Sequence, residues 1–480
     1  MNSLQITPRD NVAVMLDDSA APAILRGHKF ALRDIAAGEA VIKYGMPIGH
    51  AICAIHKGEH VHTHNLKTNL DGILEYRYEP QENTPARPAG DKPSFQGFVR
   101  ANGAVGIRNH VFIIPTVGCI NQLTRTLAER LNRLLPREFA GRALALTHPH
   151  GCSQLGADHE MTRSILAGLA HHPNAGGVLI VGLGCENNTI ESFREKLGKY
   201  DPKRVKFMIA QQESDEVAAG MRLLEELVDE MTSDQRTAVS VDNLVVGLKC
   251  GGSDGLSGLT ANPLVGSFSD CLTTHGGSTI LSEVPEMFGA ETLLMARCHN
   301  RAVFDKVVKM INDFKQYFTR YGQTIYENPS PGNKAGGIST LEDKSLGCVQ
   351  KAGNAPVNDV LAIGEHPHCH GLNLLTGPGN DMVASTLLAA SGAQLILFTT
   401  GRGTPFGTVV PTIKIASNDA LAKFKPGWID FNAGRLLSEA PEALHQEFVQ
   451  CVLNIANGEE AANEKNRDEQ IAIFKDGVTL

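Results

Sequence analysis

Val111–Asn121 reads VFIIPTVGCIN, an apolar run, then a glycine-bearing turn and the start of a stretch with helical spacing. The same order returns at Ala143–Thr147 (ALALT), Gly177–Gly182 (GVLIVG) and Val205–Ile209 (VKFMI), each followed by a polar or glycine-bearing loop and a helix-like segment. Short apolar strands alternating with helices point to a parallel sheet covered on both faces, so residues 98–237 are predicted to form an α/β domain. A second set begins at LVVGLKCGG near Leu244 and runs through STILSEVPE, DVLAIGE, LNLLTGPGN, QLILFTTGRG and PTIKIASN, with helical stretches such as Ala302–Tyr321 between them. Residues 238–480 are predicted to be a further parallel-sheet α/β domain, with MTSDQRTAVSVDN at the boundary.

Upstream the pattern changes. Runs at Asn11–Leu16, Ala40–Tyr44 and Ala51–Ile55 are β-rich and separated by turns at Gly27, Gly38, Gly45–Pro47 and Gly58, so residues 1–78 read as a small all-β module. YEPQENTPARPAGDKPSFQ holds four Pro and almost no aliphatic residue, which makes residues 79–97 a linker. A chain of 480 residues accommodates about three domains at about 150 residues each. The net charge of −8, with no run of like charge, argues against nucleic acid as a partner. No stretch approaches roughly 18 consecutive apolar residues, and MNSLQITPRDN has neither a basic nor an apolar targeting region, so a cytoplasmic protein without a membrane partner is expected. Ten Cys in 480 residues is far from disulfide-scaffold density. Cysteines in glycine-rich loops then read as metal-binding, reactive or buried, and no disulfide is expected.

Ligands of parallel sheets bind beyond the carboxyl ends of the strands, and cysteines recur there. Cys119 follows the first strand, His150 and Cys152 the second, and Cys185 and Glu186 the third, each leading into a helix whose N-terminus favours a thiolate. Cys250 lies in Leu248–Gly258 (LKCGGSDGLSG), a glycine-rich loop whose N–H groups suit an anion; neither this nor GLGCEN matches a nucleotide-binding loop. Glu283 and Glu286 follow STILS and suit a divalent cation or a base. Ser330–Gly337 (SPGNKAGG) and Thr340–Cys348 (TLEDKSLGC) read as further loops carrying Asn333, Lys344 and Cys348. Arg402, in TTGRGT, is placed to hold a carboxylate. In the β module His60, His62 and His64 alternate along HVHTHN and would share one strand face, suiting a first-row metal, while His28 sits in a loop with a pKa range fit for proton transfer.

These segments carry a resemblance. GLKCGGSDGLSGLTANP, TVGCIN, HPHGCSQLG, VGLGCENN, EVPEMFGAE, SPGNKAGGISTLEDKSLGC and FTTGRGTPFG resemble the altronate and galactarate dehydratase family of sugar-acid hydro-lyases, from RGHKFAL to the terminal IAIFKDGVTL. HVHTHN and the chain end resemble the altronate branch more than the galactarate branch. The resemblance implies a β-clip (SAF-type) module, a linker, a middle α/β domain that mediates dimerisation and a Rossmann-like last domain. It also implies a homodimer acting on a small sugar acid in hexuronate catabolism: D-altronate loses water to give 2-dehydro-3-deoxy-D-gluconate with Fe(2+), alternatives being Mn(2+) or an Fe–S cluster.

Chemistry laid on these motifs gives the expected roles. A mixed metal site would draw on His62, His64, His150, Cys152, Cys185 and Glu186, and a second candidate on Cys250, Glu283, Glu286 and Cys348. His28 or Lys344 would be the base, with His150 and Cys250 also catalytic; Gly251, Gly252, Ser253, Asp254, Asn333 and Arg402 would bind the acid. Three rival readings remain open. Cys119, Cys152 and Cys185 would carry a [4Fe–4S] cluster; Lys334, Lys344 or Lys351 would form an imine; or the chain would bind sugar acids without turnover.

Overall fold

The computed structural model describes residues 2–18, 23–81 and 92–479. Two parallel sheets dominate. In the first the order is Ala143–Ala145, His110–Pro115, Ala175–Gly182, Val205–Ile209. Alternation decides what each face buries. Val111, Ile113, Leu179 and Val181 pack with the helices Asn121–Leu134 and Glu216–Met231, while Phe112, Ile114, Val178 and Ile180 face Gly156–Ala170.

The second sheet has seven strands, all parallel, in the order Val357–Leu361, Gly371–Leu375, Ser278–Leu281, Val245–Cys250, Leu395–Thr400, Thr412–Ala416, Phe431–Asn432. From Val245–Cys250 the chain first builds one side, Ser278–Leu281 and then the edge strand Val357–Leu361 with Gly371–Leu375 inserted between them, and then returns to the other side at Leu395–Thr400. That reversal opens a crevice between the loops after these two strands. The helices Gly156–Ala170 and Asp381–Ala390 join the sheets through one shared core. Gly168, near the end of one, lies so close to the carbonyl of Ala390, at the end of the other, that a side chain would collide.

The N-terminal module is two small antiparallel sheets. Val12, Ala31, Val41, Ile48, Val61 and Leu66 share a core with Val246, Leu248 and Leu264 of the last domain, so the module is seated on that domain. Buried ion pairs add to this: Lys29 and Lys43 both reach Asp343, each at 2.8 Å.

Several expectations are corrected. Residues 82–91 of the expected linker lie outside the described residues, but its end is a strand: Ser94–Val99 pairs antiparallel with Thr237–Ser240, which falls in the polar boundary stretch. TLEDKSLGC is the buried helix Leu341–Cys348 rather than a loop, capped by Thr340, whose hydroxyl accepts from the Asp343 N–H. Within SPGNKAGG, Pro331–Ala335 is a short helix with a capping box between Ser330 and Asn333. The histidine strand is only His60–Val61, and a turn carries His62 and His64.

Candidate active site beneath the N-terminal module

The loop after Val245–Cys250 is anchored by its own acid. Asp254 accepts from Ser257, Ser417 and Asn418, so its carboxylate fixes the loop and is not left over for a ligand, contrary to the binding role expected for it. The Gly255 N–H donates to the Gly336 carbonyl at 2.7 Å, and the Gly27 backbone presses so closely on Gly255 and Gly337 that neither position has room for a Cβ. Asn333 donates to the Ser253 carbonyl at 2.8 Å. Gly251 and Gly252 meet the neighbouring strand end: the Gly251 N–H donates to Thr399, and the Gly401 and Arg402 N–H groups to the Gly252 carbonyl. The Arg402 side chain is exposed beside Gly332 and has no ion pair among the described residues.

Below this loop lies a buried ionic network. Lys249, Lys344 and Lys351 face the buried Glu283 and Glu286 and, at its margin, the partly exposed Asp381, with the thiols of Cys250 and Cys348 between them. Lys249 pairs with Glu283 and, at 2.9 Å, with Asp381. Lys351 reaches Glu283 at 3.1 Å, and the Cys250 N–H donates to it at 3.0 Å. These contacts hold Glu283 in the left-handed region (φ 72°), which a residue with a Cβ rarely adopts. Its carboxylate is thereby committed to lysines, and it is not grouped with the metal-type donors as expected.

Glu286 Oε2 accepts from Cys250 Sγ at 3.0 Å and Cys348 Sγ at 3.2 Å, while Lys344 donates to Oε1 at 2.7 Å. Burial alone would raise the Glu286 pKa, but Lys344, Lys249 and Lys351 hold the carboxyl well below its usual range. Burial opposes the charge on Lys344, and Glu286 more than restores it, so the ammonium is retained. Lys344 is therefore a poor base and a poor imine former, which corrects that expectation. The hydrogen bond to Cys250, and burial, push the Cys348 thiol far up. Cys250, Glu286 and Cys348 are the one group of metal-type donors among the described residues whose ligand atoms all lie within 4.8 Å of one another. Two thiols and a carboxylate suit a mid-to-late first-row ion once both sulfurs surrender their protons. Nearby, the hydroxyls of Ser253, Ser282 and Ser345 are buried without a hydrogen-bond partner, as expected at a site shaped for something else.

The N-terminal module closes over this region with imidazoles. The His28 ring lies 5.1 Å from His60 and 5.3 Å from His62, and His60 lies 5.4 Å from His64. A carbonyl only accepts, so His28 Nε2, facing Ala335 O at 3.3 Å, and His62 Nε2, facing Lys334 O at 2.9 Å, carry the protons. His28 Nδ1 then accepts from His60 Nε2 at 3.0 Å, and His60 keeps a bare Nδ1. Burial, followed by neighbouring positive charge, lowers His60 and His62 to about 4, so both are neutral at pH 7.

The expected mixed metal site is not assembled. His62 and His64 belong to this cover, whereas His150, Cys152, Cys185 and Glu186 lie on the carboxyl edge of the four-stranded sheet. Glu186 is spent locally, accepting from Thr116 Oγ1 and from the Leu183 and Gly184 N–H groups. His150 is half-buried, with its ring against the Ile473 backbone. Sequence reasoning gave no role to Lys249, Asp343 or Asp381, and it placed His60 with His62 and His64 on one metal-binding strand face rather than in a hydrogen bond with His28. One signal for Lys249 was available: a lysine inside a strand buried on both faces must find a buried acid.

Family models match three successive segments: the altronate/galactarate dehydratase SAF domain over residues 1–69, the D-galactarate dehydratase/altronate hydrolase second domain over 97–232, and the D-galactarate/altronate dehydratase C-terminal domain over 241–479. The chain is 52% identical to an altronate dehydratase of Escherichia coli (strain K12), over 100% of both chains. It is 53% identical to that of Bacillus subtilis (strain 168), over 95% of this chain and 92% of the relative. A galactarate dehydratase (L-threo-forming) of Escherichia coli (strain K12) is 31% identical over 98% of this chain and 96% of its own length.

Proposed function

The chain belongs to the D-galactarate/altronate dehydratase family, and we propose that it is a hydro-lyase that converts D-altronate to 2-dehydro-3-deoxy-D-gluconate and water. The observation that carries the substrate is the gap between 52–53% identity to two altronate dehydratases and 31% to a galactarate dehydratase, each across nearly the whole chain.

The reaction needs a base for the C2 proton, positive charge for the carboxylate as it takes up electron density, and a proton for the departing C3 hydroxyl. Arg402, exposed and without an ion pair among the described residues, holds the substrate carboxylate at the switch point of the sheet. The His60 Nδ1 lone pair takes the C2 proton; His28 fixes its tautomer, and the arriving anion raises the proton affinity of the imidazole. Lys344, kept as an ammonium by Glu286, donates toward the departing hydroxyl. A ferrous ion held by Cys250, Glu286 and Cys348 would supply Lewis acidity for the carboxylate and hydroxyl oxygens. Free cysteines and a moderate acidic charge support a cytoplasmic enzyme, and the family resemblance supports a homodimer.

Anaerobic incubation with D-altronate, galactarate or D-mannonate, with Fe(II) present or chelated, tests the reading through the 2-keto-3-deoxy product. Iron-dependent conversion of altronate alone is expected. Conversion of galactarate in preference would overturn the substrate, and undiminished turnover after chelation would overturn the metal.

A further inference from the structure

The carboxyl edge of the four-stranded sheet is not used by the proposed reaction, yet it carries three thiols at a topological switch point. The chain leaves His110–Pro115 for one neighbouring strand, Ala143–Ala145, and then returns to the other side at Ala175–Gly182. Cys119 and Cys185 therefore follow the two strands that flank the switch, and Cys152 follows the next strand out. Adjacent strands lie about 5 Å apart, so the three loops share one small patch.

The loops are tied to one another close to each cysteine. The Gly118 N–H donates to His150 O at 2.8 Å, the Asn188 N–H to Gly151 O at 3.0 Å, and the Ser153 N–H to Asn187 Oδ1 at 2.9 Å. Left-handed backbone at Gly151, Ser153 and Gly184 shapes the turns. All three cysteines are exposed, and their only sulfur contacts among the described residues are weak ones, Cys152 with Ser153 at 3.8 Å and Cys185 with Gln211 at 3.6 Å. Two buried polar atoms in the same loops, Gln154 Nε2 and Asn188 Oδ1, have no partner, although Gln154 is 2% and Asn188 0% exposed. The loops open the helices Asn121–Leu134, Gly156–Ala170 and Ile190–Leu197, directly or within a few residues, and helix N-termini favour negative charge.

We propose that Cys119, Cys152 and Cys185 bind a [4Fe–4S] cluster through three of its irons, leaving the fourth for a solvent or carboxylate oxygen. The three sulfurs do not all lie within 4.8 Å of one another, which disfavours one shared ion, and the hydrogen bonds between their loops are what keep them on one patch, where each would take a separate iron. The assignment is independent of the dehydratase reading and concerns a different set of residues. Loading is ligand exchange without electron transfer. Each protein sulfur forms a bond to iron, an external thiolate leaves that iron, and the protein's thiol proton departs with it.

The test uses the full chain under anaerobic conditions and a water-soluble thiolate complex of the [4Fe–4S] core, followed by desalting. Expected are iron and acid-labile sulfide at one cluster per chain, visible charge-transfer absorption, and three-to-one inequivalence of the irons by Mössbauer spectroscopy. Cys119→Ser, Cys152→Ser and Cys185→Ser combined should abolish the sulfide and the absorption. Thiol alkylation read by mass spectrometry gives a second measure that needs no variant: loading should protect these three cysteines together while exposed Cys53 stays reactive. Iron bound without sulfide, a cluster retained by the triple variant, or alkylation of the three thiols unchanged by loading would each overturn the proposal.

Discussion

The two parallel sheets end in the same kind of loop, a strand running into Gly-Cys or Cys-Gly, but they put those cysteines to opposite uses. On the seven-stranded sheet Cys250 is 1% exposed, in hydrogen bond with Glu286 and surrounded by paired lysines. On the four-stranded sheet Cys119, Cys152 and Cys185 are exposed. The difference lies in the cover. The helix Leu341–Cys348 and the N-terminal module roof the first edge, and Lys29 and Lys43 pin that roof through Asp343. A strand-end loop becomes a dry, charge-dense site when remote sequence closes over it, and stays a surface otherwise.

The sharpest way to break this comparison is to remove the acid on which the buried edge converges. Glu286→Gln should lower kcat by a hundredfold or more, on the order expected for loss of a metal ligand together with the partner of a buried lysine, as measured by steady-state kinetics with Fe(II). Activity near wild type would remove Glu286 from the site.

Loosening the roof is next. Asp343→Asn leaves two buried ammonium groups sharing one neutral amide and should cost about 3–5 kcal/mol in urea denaturation. An unchanged midpoint would show that apolar packing alone seats the module.

Acid should act on both regions. Burial lowers His148, at the edge of the four-stranded sheet, to about 4, and His172 to about 3; it also lowers His60 and His62 of the cover to about 4. Between those values and the ordinary 6.5 the unfolded chain takes up protons that the folded chain refuses, so stability falls as pH drops through this window. His148 and His172 are each 2% exposed and should contribute on the order of 3 kcal/mol apiece; the half-buried pair contributes less. Thermal melts between pH 7 and pH 4 check the sign, which a flat profile would contradict.

The smallest effect should be at the rim. Arg402→Ala is expected to raise KM for the acid about tenfold to a hundredfold without shifting the melting temperature, because the side chain is exposed and leaves no buried partner behind. An unchanged KM would move the carboxylate site elsewhere.

Much of this was legible from local pattern. VKFMI is a strand over the very residues expected, and the helix expected at Ala302–Tyr321 spans Arg301–Arg320. Apolar runs of about four to eight residues bounded by glycine announce buried strands because they are too short for a buried helix to span the core. TLEDKSLGC misled because its apolar content is low; the Thr340-x-x-Asp343 spacing was the helix signal, and burial came from what docks on it. The histidine strand misled in the other direction. His60 and His62 do meet, yet through a turn and with His28 joining from another strand's approach.

The sequence alone thus determined the α/β class, the placing of cysteines at strand ends and, through long specific motifs, the family. Only the tertiary structure decided which of those cysteines became a buried site, that Lys344 is held as a cation by Glu286, and that His60 keeps the free nitrogen. Strand and turn formation depend on neighbours along the chain, whereas protonation, pairing and burial depend on groups brought together from hundreds of residues away.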